Sequence, residues 1–514
     1  MGSSPRLPSV GSAQPATMPK LELSFPNGVK TTVQSDLFIN NKFVPALDGK
    51  TFATVNPSTG KEIGQVAEAS AKDIDVAVKA ARDAFENVWG EKVPGAERGR
   101  LLLKLADLVE ANLDVLASIE SLDNGKAFSI AKGFDVAAVA ANIRYYGGWA
   151  DKNQGKTIET NDKKFTYTRH EPIGVCGQII PWNFPLLMFA WKIGPALATG
   201  NTVVLKTAEQ TPLSAIKMCE LIVEAGFPPG VVNVVSGFGA VAGAAISNHM
   251  DIDKVAFTGS TLVGRNIMKA AASTNLKKVT LELGGKSPNV IFKDADLDQA
   301  VKWAAFGIMF NHGQTCCAGS RVYVEEDVYD QFMDKMTALC KSLSVGDPFA
   351  QNTFQGPQVS QLQYDRIMEY IESGKKEANL HLGGVRKGSE GYFIEPTIFT
   401  DADHNSKIAR EEIFGPVVVV SKFKDEKELL RIANDTMYGL AAAVFSRDIS
   451  RAIETAHKLK AGTVWVNCYN QLDPQVPFGG YKASGIGREL GEYALANYTN
   501  VKAVHCNLST PAPL

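Results

Sequence analysis

The chain has 514 residues, 45% hydrophobic and 21% charged, an ordinary globular composition with length for about two to four domains and a large buried core. Lys and Arg total 53 against 55 Asp and Glu, and this net charge of -2 gives no global field to draw in nucleic acid or an anionic membrane. The seven cysteines, an odd number without CxxC spacing, argue against a disulfide framework and against a zinc centre, and fit a reducing compartment.

Residues 1–17, MGSSPRLPSVGSAQPAT, have no apolar core of a secretory signal, and a disordered tail is expected over 1–20. Only Arg6 and Lys20 supply positive charge there, and Pro5, Pro8 and Pro15 oppose an amphipathic helix, so cytoplasmic residence fits better than a mitochondrial transit peptide. Arg6 also breaks the myristoylation pattern after Gly2, and no apolar run reaches the ~18 residues of a membrane span. Apolar residues then recur at helical spacing over 74–89 and 96–121, as in Leu101, Leu102, Leu105, Leu108 and Val109. The stretch 156–169, KTIETNDKKFTYTR, switches to alternation around Asn161 and Asp162, a hairpin that fits no neighbouring sheet and reads as an arm for another subunit.

Between 173 and 285 the pattern becomes regular. Strands are expected up to Pro181 and over 201–206, 231–237, 254–260 and 278–283, with helices over 186–197 and 211–225, from Ala240, and over 261–272. That alternation predicts βαβ units and a Rossmann-like parallel sheet, with a nucleotide at the carboxyl ends of the strands. The segment 259–264, GSTLVG, is not GxGxxG because Thr261 replaces the second glycine; taken alone, a plain strand-turn-helix fits it equally well. Further on, Cys316 and Cys317 lie in NHGQTCCAGSR (311–321), between Gly313 and Gly319. Glycines offer no packing, so this window reads as a nucleophile on a loop, although a buried cysteine pair fits it as well.

Taken together, PWNFP (181–185), LKTAEQTP (205–212), FTGS (257–260), LELGGKSP (281–288), GQTCCAGSR (313–321), EEIFGPV (411–417) and PFGGYKASGIGRELG (477–491) closely resemble the NAD(P)-dependent aldehyde dehydrogenases, in order from about residue 38 to about 504. The likeness is greatest to the broad cytosolic and mitochondrial aldehyde dehydrogenases. It implies an α/β fold of three parts: a discontinuous NAD-binding domain (21–153 and 173–283), a second α/β catalytic domain (284–484), and a small β oligomerisation arm and tail (154–172 and 499–514).

The resemblance also implies roles. Cys316 matches the nucleophile, Asn183 the oxyanion donor beside the Cys316 N–H, and Glu282 the general base, which two following glycines would let swing. Lys192, and Lys286 at another motif position, would support the surroundings of the nucleophile. Lys206 and Glu209 match adenosine-ribose ligands, Trp182 and Ser260 pyrophosphate contacts, and Glu412 with Phe414 the clamp on the nicotinamide ribose. Further cofactor contacts are implied at Ile179, Pro181, Gly239 and Gly243, and at Phe257, Gly259 and Leu283. A carboxylate at Glu209 repels a 2′-phosphate, so NAD is expected over NADP.

Substrate walls are implied at Phe184, Leu187, Met188 and Trp191, and at Phe310, Leu472 and Phe478, an apolar set suited to aliphatic and aromatic aldehydes, with Ala138 at the mouth. Asn470 and Asp473 near the rim depart from the family, and Asn500 stands where many relatives carry glutamate. A homo-oligomer, a tetramer of paired dimers, is expected, with no nucleic-acid or membrane partner. Two other readings are weighed: a catalytically silent protein of the same fold, which NADH formation would exclude, and a thiol hydrolase pairing Cys316 with His312, which would act without NAD.

Overall fold

A computed structural model describes residues 16–514; residues 1–15 of the expected tail lie outside the described residues. Residues 16–20 form no regular structure, yet Met18 N donates to Asp36 Oδ2 at 3.0 Å and ties this stretch down.

The strands Val175–Ile179, Thr202–Lys206, Val232–Val235, Lys254–Thr258 and Lys278–Glu282 run parallel. Numbered along the chain, they stand side by side in the order 3-2-1-4-5, which is the Rossmann arrangement. Antiparallel strands extend both edges: Leu37–Ile39 and Lys42–Val44 on one side, Gly485–Ile486 on the other. The first four parallel strands are buried along their whole length, which is why they read as unbroken Val-rich runs. The helix Pro185–Ala198 starts on a proline suited to a first helical position, and it is buried on every face, apolar throughout except for Lys192.

A second sheet of seven strands follows, in the order Asn379–Leu382, Thr397–Thr400, Val417–Phe423, Arg321–Glu325, Pro288–Ile291, Ala441–Phe445 and Thr463–Val466. Every pairing in it is parallel except the first. One hydrophobic core runs under both sheets, joining Phe189 and Leu205 to Met309, Val322 and Tyr469.

Two expectations need adjusting. The helical stretch over 96–121 is two helices, Gly95–Ala111 and Leu113–Asn124, because Asn112 leaves helical geometry at ψ 19° and its Nδ2 donates to Leu108 O at 2.8 Å. The hairpin strands, Thr157–Ile158 and Lys164–Pro172, first meet a partner in their own chain: Lys164–Pro172 pairs antiparallel with the tail strand Thr499–Asn507 along its whole length. The resulting three-stranded sheet stands apart from the other two.

Candidate active site

In a 3-2-1-4-5 sheet the crevice opens where strand order reverses, between the ends of Val175–Ile179 and Lys254–Thr258. A cleft begins there, with Pro181, Trp182, Thr258, Gly259 and Ser260 at its mouth, and passes between the two sheets to Cys316 and Cys317.

Cys316 is carried on a tight reversal. After the helix Leu297–Met309 the chain takes three consecutive left-handed residues, Asn311 (φ 50°), His312 (φ 61°) and Gly313 (φ 71°). At Gly313 a Cβ would stand 2.0 Å from Gly415 O, so only glycine fits. Cys317 is buried and gives its S–H to Asn470 Oδ1 at 3.3 Å; Cys316 is half-buried and lines the cleft. The adjoining Cys317 thiol, and then burial, raise the Cys316 thiol well above its ordinary range.

Asn183 comes from the loop between Val175–Ile179 and Pro185–Ala198. Its Nδ2 donates to Gln314 O at 2.9 Å, which fixes the amide plane and leaves the second N–H for the cleft. Its backbone carbonyl accepts from Asn311 Nδ2 at 3.0 Å and from Lys126 Nζ at 3.2 Å. Lys126 is fully buried, ion-paired with Asp135, and sits 4.2 Å from the centroid of the Phe184 ring.

Glu282 ends its strand with Oε2 buried and without a hydrogen-bond partner among the described residues. Burial first, and the nearby Glu489 carboxylate second, push its carboxyl well above the ordinary carboxylate range, while Lys192 opposes them. Lys192 does not line the cleft; it is fully buried and ion-paired with Glu489. The glycines after Glu282 serve close approach more than swinging: a Cβ on Gly284 would meet Glu412 Oε2 at 2.1 Å, and one on Gly285 would meet Cys316 O at 2.6 Å. Glu412 Oε1 accepts from Gly285 N at 2.9 Å, and burial raises this carboxyl to about 7.

At the mouth, Trp182 and Phe414 meet edge to face at 5.2 Å, and Ser260 caps the helix Thr261–Ser273. Lys206, Glu209, Ile179 and Gly243 form a neighbouring group outside the cleft walls. Lys206 Nζ lies 3.4 Å from Glu209 Oε2, and the Cβ position of Gly243 lies 3.7 Å from Lys206 Cδ and 3.9 Å from Ile179 Cδ1. Gly239 opens the following turn with nothing within 4 Å of its Cβ position, and the Phe257 ring folds against Gly259.

Residues 43–504 match the aldehyde dehydrogenase family. An aldehyde dehydrogenase of Agaricus bisporus is 64% identical over 93% of this chain and 96% of its own length. The chain belongs to the aldehyde dehydrogenase family. It is accordingly an oxidoreductase of the aldehyde dehydrogenase class. A mitochondrial aldehyde dehydrogenase of Homo sapiens is 57% identical over 93% of each chain. A solved aldehyde dehydrogenase of Bacillus cereus in complex with NAD+ superposes with a TM-score of 0.91 at 53% identity, covering 92% of this chain and 96% of that one.

Within this aldehyde dehydrogenase fold the inner cleft is walled by Phe184, Leu187, Met188 and Trp191 on one side, and by Phe310, Leu472 and Phe478 on the other. The ring of Phe310 stacks on Phe184 at 6.1 Å, and Trp191 meets Phe478 edge to face at 5.5 Å. Leu283 also lines the cleft. Ala138 does not; it packs on the core, while Phe134, about one turn earlier, supplies the wall and meets Phe310 edge to face at 5.3 Å. Phe134, Lys126, Glu489 and Thr258 went unassigned in the sequence reading. Two of them stand inside quoted motifs, Thr258 in FTGS and Glu489 in the glycine-rich run GIGRELG. His312 is buried, held near neutral imidazole by burial with its pKa lowered to about 3, and its Nδ1 pairs with Gln314 Nε2 at 3.3 Å; it does not line the cleft.

Proposed function

We propose that this enzyme oxidises aldehydes to carboxylic acids with NAD as hydride acceptor, through a thioester on Cys316. The observation that carries the reading is convergence: a thiol, an amide and a carboxyl from three separate elements line the end of a cleft whose mouth lies at the switch point of a Rossmann sheet.

Aldehyde carbon would form a bond to the Cys316 thiolate, with the carbonyl electron pair moving to oxygen. The free N–H of Asn183 and the Cys316 backbone N–H would receive that negative charge. When bound, NAD supplies the hydride acceptor. Collapse of the oxyanion expels hydrogen with its electron pair and leaves the thioester on Cys316. Glu282 would then take a proton from water, whose oxygen attacks the thioester; the carbon–sulfur bond breaks and the acid leaves. The Lys192–Glu489 pair is a positioning unit behind Glu282, with Lys192 limiting the charge that Glu282 faces.

The mouth residues fit a dinucleotide. Thr258 Oγ1 is buried with no partner among the described residues, the Ser260-capped helix offers free N–H groups to a pyrophosphate, and the half-buried Glu209 carboxylate is an acceptor for ribose hydroxyls. Trp182 and Phe414 flank the mouth, and Gly239, Gly243, Ile179, Lys206 and Phe257 shape the neighbouring adenosine end. Glu209 favours NAD over NADP by charge. In domain terms, 21–153 with 173–283 would bind NAD, 284–484 would carry the nucleophile, and 154–172 with 499–514 would form the arm. The free flank of Thr499–Asn507 and the edge strand Thr463–Val466 are unpaired in one copy, which supports a homotetramer built from dimers. Cytoplasmic residence belongs to the same reading and is supported by the odd, dispersed cysteines.

The deciding experiment mixes enzyme, NAD and an aliphatic aldehyde, follows NADH absorbance, and quenches the reaction for mass spectrometry of the Cys316 peptide. An acyl adduct on Cys316 is expected; turnover without NAD, or an adduct on Cys317, would refute the scheme.

A further inference from the structure

Tyr469 lies just past the strand Thr463–Val466, fully buried and absent from the cleft walls, yet its hydroxyl donates to Cys317 O at 2.6 Å. Its ring packs on Trp465 at 4.7 Å and is slotted between two glycines: a Cβ on Gly307 would stand 2.9 Å from the ring, and one on Gly319 would stand 3.2 Å from it. Burial raises this phenol well above its ordinary range, so it stays a donor wherever the enzyme works. Cys316 and Cys317 are the central residues of a turn that Ala318 N closes by donating to Thr315 O at 2.9 Å. The peptide between Cys317 and Ala318 is thus held at both ends, its N–H by Thr315 and its carbonyl by Tyr469. A peptide unit is planar and trans, so the bond that fixes Thr315 O also fixes the opposite direction of the Cys316 N–H. That N–H has no acceptor among the described residues.

We propose that Tyr469 is a positioning residue whose hydroxyl, acting through the turn at 315–318, aims the Cys316 backbone N–H at the oxygen that gains charge when the thiolate adds to the aldehyde. The inference rests on the aldehyde-oxidising reading and deepens it at the oxyanion site. The upstream shoulder of the turn is secured separately, by Asn183 and Asn311, which donate to Gln314 O at 2.9 and 3.1 Å. Tyr469 secures the downstream shoulder, and it comes from the segment that also places Leu472 on the cleft wall, so the oxyanion donor and the substrate wall share one support. Without the hydroxyl the peptide at 317–318 is free to rotate, Ala318 N releases Thr315 O, and the Cys316 N–H swings off line. The Cys316 sulfur keeps its access to the cleft, because its own place depends on the Cα and not on the direction of that N–H.

The test compares two reactions of the same thiol in Tyr469→Phe, which removes the hydroxyl and keeps the ring. One is kcat/KM for an n-alkanal with NAD, normalised to the Cys316 that iodoacetamide can label; the other is the rate of that labelling, followed by mass spectrometry of the Cys316 peptide. Labelling is a displacement at saturated carbon that puts no charge on an oxygen, so it reports the thiol without its oxyanion donors. Aldehyde oxidation should fall about tenfold, short of the hundredfold or more that loss of an oxyanion donor costs, because the N–H is misaimed and not removed. Labelling should keep the wild-type rate. Gly307→Ala leaves the hydroxyl but presses on the ring, and should show the same split; it decides in the same way should Tyr469→Phe not fold. A parallel loss of both rates means that Tyr469 merely supports the loop, and the loss of neither means that it has no part in the reaction; either overturns the proposal while aldehyde oxidation stands. If the wild type forms no NADH from any aldehyde, the parent reading fails, and this proposal with it.

Discussion

Both thiols border the cleft, but Cys317 is buried and spends its S–H on Asn470, whereas Cys316 is half-buried and the more open of the two. Cys316→Ala should therefore abolish NADH formation while NAD still binds, measured by fluorescence titration, and Cys317→Ala should keep substantial turnover. The pH dependence follows from two raised groups. Glu282 and the Cys316 thiol both hold their protons to higher pH than usual, and both work deprotonated, so kcat/KM should climb from pH 6 toward pH 9. Below the higher of the two folded-state values the logarithm of kcat/KM should rise by about one or more per pH unit. A rate profile that is flat between pH 6 and 8 would contradict this. Glu209→Gln should raise the NADP to NAD ratio of kcat/KM roughly tenfold, the size of a partly screened repulsion; an unchanged ratio would mean that Glu209 does not face the 2′ position.

The loop at 180–184 and the first turn of the helix after it are held by the element beneath them. Asn124 at the end of the helix Leu113–Asn124 donates from Nδ2 to Trp182 O at 2.7 Å, Glu120 accepts from Leu186 N at 3.4 Å, and Lys126 donates to Asn183 O. Lys126→Met leaves Asp135 buried and unpaired, a change that costs about 3–5 kcal/mol of stability. Lys126→Met combined with Asp135→Asn removes both charges and should recover most of that loss, read as the denaturation midpoint. The double variant should still turn over about tenfold more slowly, because the Asn183 carbonyl has lost a partner and the amide is less well aimed. Recovery of kcat along with stability would show that Lys126 is structural only. None of this was legible locally, since Lys126 sits in a stretch whose only sequence mark is the glycine before it.

At the scale of the molecule, the arm and the tail form one sheet. Truncation after Thr499 removes one partner of Lys164–Pro172 and leaves only a two-stranded hairpin, in which Phe165 and Ile158 are already exposed at 46% and 47%. The truncated chain should sediment as smaller species and aggregate on mild heating, while the full chain should sediment as a tetramer at micromolar concentration. A full chain that runs as a monomer would refute the assembly, as would a truncated one that keeps its size and activity.

The sequence by itself determined most of the elements and the family. Strands buried on both faces read as Val-rich runs between glycines and prolines, and the long motifs carry the thiol, the amide and the carboxyl that the fold brings to one cleft. Strand order, the pairing of Lys164–Pro172 with Thr499–Asn507, and the return of Gly485–Ile486 to the first sheet were decided only in three dimensions, because β pairing leaves no local mark on either partner. The same holds for the ring of Phe134 replacing Ala138 on the wall, and for the buried pairs Lys126–Asp135 and Lys192–Glu489. Each charge there is tolerable only because a partner is folded against it, nine residues away for Lys126 and 297 for Lys192, and neither pairing is visible until the core closes.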